Sequence, residues 1–94
     1  MKKYYQTKKD FIHRKIAGNE VLISVGDNVA HFNGYIEMNE TAAYLWEFFA
    51  ESKSLTDAAE SLSRRFQIDV ESARGDVKEF IDMLLSHEMI EVKG

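Results

Sequence analysis

The 94-residue sequence contains no cysteine and no proline, has only five glycines, and nowhere runs apolar for long. Without cysteine there are no disulfides, no thiolate nucleophile and no Cys-based zinc site, so nothing points to secretion or to a zinc finger, and a cytoplasmic location is the default. Without proline every peptide unit past the first keeps its amide donor. No segment approaches the ~20 apolar residues that span a bilayer. The opening MKKYYQTKKD follows its lysines with Tyr, Gln and more charge, where a signal peptide would have an apolar segment, so no membrane association is expected.

Positive charge is also in short supply. Twelve Lys and Arg face sixteen Asp and Glu, for a formal net charge of -4. A sequence-independent grip on nucleic acid depends on cations neutralising phosphates, and this balance opposes it. The basic exception is local: Lys2, Lys3, Lys8 and Lys9 read as a solvated, flexible N-terminus over residues 1–10, leaving residues 11–94 as a single domain. What is present suits one core, with 45% hydrophobic residues, six Phe, four Tyr and one Trp.

Two β-like runs flank Gly18-Asn19 within FIHRKIAGNEVLISVG. Ile12, Arg14 and Ile16 alternate with His13, Lys15 and Ala17; Val21, Ile23 and Val25 alternate with Leu22 and Ser24. Gly-Asn between such runs is a hairpin signal, because both residues tolerate positive φ. Residues Asp27 to Asn33 read as a loop, and Gly34 opens a third strand in which Ile36 and Met38 share one face and Tyr35 and Glu37 the other. Asn39 is placed to cap a first helix whose stripe is Ala42, Leu45, Trp46 and Phe49, ending near Glu51. Ser54 and Asp57 form a capping-box variant before a second helix, Leu55 to Phe66. Three residues later a third stripe, Val70, Ala73, Val77, Phe80, Ile81, Leu84 and Leu85, predicts a longer helix to about His87, with Gly75 as its weak point. Met89 to Val92 completes the chain as a short final strand. Three strands, then three helices with short joints, make an α+β domain of winged-helix-like architecture: an N-terminal three-stranded antiparallel sheet followed by three helices.

Signatures of chemistry are missing. His13, His31 and His87 fall in a strand, a loop and a helix end, without metal-ligand spacing. There is no glycine-rich phosphate loop and no G-x-S-x-G elbow, and the carboxylates are spread over helix surfaces. The sequence therefore predicts neither a cofactor nor a metal, and no enzyme.

The order of two strands, then Gly34-Tyr35-Ile36-Glu37-Met38-Asn39-Glu40-Thr41, Trp46, Asp76-Val77 and Phe80, resembles PqqD-like proteins, the peptide-recognition domains of ribosomal-peptide biosynthesis. The resemblance runs from about Phe11 to Val92. It is densest in NGYIEMNETAAYLWE and DVKEFIDML, and it departs at Met38, where Leu is common, and at His87-Glu88-Met89, where a glycine often follows the last helix.

The resemblance implies a non-catalytic adaptor that binds the leader segment of a precursor peptide as an added strand beside the third strand, in a cleft bounded by the third helix. The core segment of the bound precursor is then presented to a modifying enzyme such as a radical-SAM maturase. On that basis the candidate peptide-binding residues are Gly34, Tyr35, Ile36, Glu37 and Met38, with Val70, Arg74, Val77, Lys78 and Ile81 from the third helix. Arg74 and Lys78 would attract leader carboxylates. Val77 and Ile81 belong to the same stripe as Phe80 and Leu84 and read first as core, whereas Arg74 and Lys78 equally fit a solvated face with Glu71 and Asp82. An open edge also offers a route to a homodimer. The rival reading is a winged-helix DNA-binding regulator. Against it stand Asp69, Glu71, Asp76, Glu79, Asp82 and Glu88 on the helix that would enter the groove.

Overall fold

The computed structural model of the protein describes residues 2–25 and 35–93. Gly34, the loop expected at Asp27 to Asn33 and His31 lie outside the described residues. The element order is β1 (Tyr4–Thr7), β2 (Phe11–Ile16), β3 (Asn19–Ser24), β4 (Tyr35–Met38), α1 (Glu40–Phe48), α2 (Leu55–Phe66), α3 (Val70–Ser86) and β5 (Ile90–Lys93). The α+β arrangement of an antiparallel sheet followed by three helices is the one expected.

Strands β2, β3 and β4 form an antiparallel sheet in that order. The hairpin joining β2 to β3 turns through Ala17 and Gly18, one residue earlier than the Gly18-Asn19 signal suggested, with φ of 52° and 85°. Two consecutive residues at positive φ twist the turn to match the strands, and glycine holds the second position without a Cβ penalty. Asn19 instead begins β3, opposite Ile16.

The N-terminus departs from the expected solvated tail. Tyr4–Thr7 pairs antiparallel with β5 in a second, two-stranded sheet. The amides of Tyr5 and Thr7 donate to the carbonyls of Lys53 and Phe49, and the Tyr5 ring meets Phe49 edge-on at 6.3 Å. The lysines that marked the segment as solvated flank a Tyr-containing strand that closes the molecule across β5 and the end of α1.

Each helix begins at a side-chain cap. Asn39 Oδ1 accepts from the Ala42 amide at 2.8 Å, Ser54 Oγ from the Asp57 amide at 3.1 Å, and Asp69 Oδ2 from the Glu71 and Ser72 amides at 3.1 and 3.2 Å. These bonds satisfy first-turn donors that have no partner within the helix. The α2–α3 joint is tight because Gln67 takes a left-handed conformation, φ 54°. The core gathers Phe11, Leu22, Met38, Leu45, Trp46, Phe49, Leu62, Val77, Phe80, Leu84 and Met89. Trp46 is buried, as its stripe required, and meets Phe11 edge-on at 6.3 Å.

Candidate functional site

Among the described strands β4 lies at one edge of its sheet, and the ladder shows which of its amides point away from β3. The Val25 amide donates to the Asp10 carbonyl at 2.8 Å, so that pair is a hydrogen-bonded one. Hydrogen-bonded and non-hydrogen-bonded pairs alternate in an antiparallel ladder. Ile23, Val21 and Asn19 therefore aim their backbone groups at β2, whereas Leu22 and Glu20 aim theirs at β4. Their partners there are Ile36 and Met38. Tyr35 and Glu37 consequently turn their amides and carbonyls away from the sheet, toward the open edge.

Side chains divide the same segment. Met38 is buried and Ile36 is partly buried on the face covered by the helices, whereas Tyr35 and Glu37 are exposed on the opposite face. The backbone of one strand thus offers a pairing edge while its inward side chains anchor it to the core.

Where β4 ends, a groove opens between the start of α1 and the middle of α3. Asn39, Thr41, Ala42 and Leu45 form one wall; Asp76, Glu79, Phe80 and Met83 form the other, and the enclosed volume is about 270 Å³. Its floor is apolar and its rim on α3 is acidic.

The third-helix residues expected to form the cleft are placed differently. Val77 and Ile81 are core residues, exposed by 0% and 2%, so their side chains are not available to a ligand. Arg74 and Lys78 are exposed. At 3.6 residues per turn they project roughly opposite to Asp76 and Met83, so the core stripe separates them from the groove. Lys78 Nζ is paired with Asp82 Oδ2 at 3.2 Å, the solvated-face alternative. Val70, at the helix start, is also exposed and does not line the groove. The residues that do line it, Asp76, Glu79, Phe80 and Met83, recur at i, i+3, i+4 and i+7 and could have been found as a second stripe. Phe80 belongs to both the core and the groove wall.

The exposed face of α3 carries Glu71, Asp76, Glu79 and Asp82, a surface that repels phosphates at close range. Among the described residues no group of three or more His, Asp and Glu is placed to hold a metal ion, and no helix is long and apolar enough to cross a membrane.

The fold is shared with TbiB1, solved in complex with the TbiA(beta) leader peptide: the TM-score is 0.72 at 15% sequence identity, over 92% of this chain and 94% of that one. A search of curated proteins finds no significant match. The family model of coenzyme PQQ synthesis protein D (PqqD) matches residues 20–90, which takes in β4, all three helices and the groove between them; the chain belongs to the PqqD family.

Proposed function

We propose that this protein is a non-catalytic adaptor that captures the leader segment of a ribosomally made precursor peptide as a strand added to β4. It then presents the remainder of the precursor to a separate modifying enzyme, such as a radical-SAM maturase, in the cytoplasm. The observation that carries the reading is the orientation of β4: Tyr35 and Glu37 face the open edge with both backbone groups, and an extended peptide pairs with such groups by β-augmentation. Membership of the PqqD family and a fold shared with a leader-bound protein support it. The adaptor raises the local concentration of precursor at the enzyme and requires no reaction of its own.

Titration of the purified protein with synthetic leader segments of candidate precursor peptides tests the proposal. Saturable binding is expected, weakened at least about tenfold by Glu37→Pro, which removes one outward amide. A folded Glu37→Pro protein that binds the same precursor with unchanged affinity would show that the edge of β4 is not the contact.

A further inference from the structure

The three-stranded sheet carries an apolar set of side chains on the face turned away from the helices. Cross-strand partners share a face, so Ile12, Ile23 and Tyr35 stand in one row, Arg14, Val21 and Glu37 in the next, and Ile16 beside Asn19 in the third. The helix-covered face holds Phe11, Leu22, Ile36 and Met38, but also His13, Lys15 and Glu20. The β-branched residues of the hairpin thus lie mainly outside. An antiparallel sheet with one solvated face ordinarily alternates apolar-in with polar-out, and this one does not.

The outer face is shaped as well as apolar. Ile16, Val21, Ile23 and Tyr35, with Ala17, Asn19 and Glu37, enclose a hollow of about 410 Å³. Val21, only 4% exposed, is its floor, and Ile16 and Tyr35, at 52% and 61%, are its exposed rims. Exposed apolar surface of this kind marks an interaction site.

We infer that this outer face is a specificity subsite for the same peptide, and that the segment added to β4 carries aromatic or β-branched side chains at alternate positions. The inference rests on the strand-addition reading. Its warrant is continuity: Tyr35 and Glu37 supply the outward backbone groups of the edge and also form one wall of the hollow. Whichever way an added strand runs, every second residue lies on the outer face beside Tyr35 and Glu37. A large apolar side chain there covers the Tyr35 ring and reaches toward Ile23 and Val21. The added strand completes a surface that the three strands leave open.

The test is a displayed library of random octapeptides, selected against the full chain and against Tyr35→Phe, Tyr35→Ser and Glu37→Pro, each shown to be folded by its thermal melt. Peptides selected on the unaltered protein are expected to alternate apolar residues with period two. Tyr35→Phe keeps them; Tyr35→Ser binds them about tenfold more weakly, as expected when an aromatic ring that the ligand covers is removed; Glu37→Pro loses them. If selected peptides show no alternation, or bind Tyr35→Ser as tightly as the unaltered protein, while Glu37→Pro still abolishes binding, the subsite is overturned and strand addition stands. Peptides insensitive to Glu37→Pro, or no selected peptides at all, overturn both. If Tyr35→Ser leaves selection unchanged but abolishes a concentration-dependent dimer seen by sedimentation, the face belongs to a second copy, and the inference is likewise wrong.

Discussion

His13 Nδ1 lies 2.8 Å from Glu47 Oε2, joining β2 to the last turn of α1 across 34 residues of sequence. Nε2 of the same ring lies 2.5 Å from Glu20 Oε1 on β3, and Lys15 Nζ approaches the other oxygen of Glu20 at 3.9 Å. Partial burial works against the imidazolium, but the bonds to Glu47 and Glu20 outweigh it and raise the His13 pKa above 6.5. The protonated ring donates from both nitrogens, one to each carboxylate.

Because the folded-state pKa is the raised one, the stabilisation is fully present below pH 6.5 and is lost as pH rises through the folded value. Denaturant midpoints are expected to fall across that window in the unaltered protein and to stay flat in His13→Gln. Glu47 is 62% exposed, so solvent holds the effect to at most about 1 kcal/mol. Equal pH profiles for the two proteins would remove His13 as the cause.

Gly75 sits on the exposed side of α3, and a Cβ built there meets nothing within 4 Å. Gly75→Ala is therefore expected to stabilise the protein by about 0.5–1 kcal/mol, since alanine loses less backbone entropy in a helix. Calorimetry should show Tm rising by several degrees, about 4–8 °C per kcal/mol for a domain this small.

Trp46→Ala removes a side chain that is 5% exposed and packed against Phe11. A loss of about 3–5 kcal/mol is expected from transfer and cavity costs, a large share of a domain's whole stability. Urea titration followed by far-UV circular dichroism measures it. Retained stability together with selective loss of peptide affinity would instead place Trp46 in the binding site.

Proline at neighbouring positions of β4 should have opposite consequences. Ile36 donates toward β3, so Ile36→Pro breaks the ladder and lowers the melting temperature sharply, whereas Glu37→Pro spares the β3–β4 bonds. Melting the two variants side by side reads the ladder's parity directly. Equal destabilisation would mean that the Glu37 amide does not face outward.

Charge reversal separates the two flanks of α3. Glu79→Lys alters the groove rim and is expected to change precursor affinity and its salt dependence, while Arg74→Glu, across the core stripe, leaves both within about twofold. The reverse ranking would place the peptide contact on the Arg74 and Lys78 flank.

Features that depend on neighbours a few residues away can be read along the chain. Asn39 and Ser54 accept from their own first turns, so the starts of α1 and α2 were legible, and α2 spans the expected Leu55 to Phe66. The stripe through Leu45, Trp46 and Phe49 assigned the core in the same way, since a helix can bury only one side. The alternation of Tyr35 and Glu37 with Ile36 and Met38 was also correct as a local pattern.

Which local pattern meets which is settled by packing between segments far apart in the chain. Alternation says that a strand has two faces, but both faces of the β2–β3 hairpin contain apolar residues. The choice of Phe11 and Leu22 as inward fell to packing against Trp46 and α1. The flank of α3 that borders the groove is set by where the helix packs beside the start of α1, far away in sequence, and there Asp76 and Glu79, not Arg74 and Lys78, line the wall. The N-terminal strand was hidden for the same reason: Tyr4–Thr7 finds its partner at Ile90–Lys93, the opposite end of the chain, and no local spacing can announce a pairing that the intervening fold creates.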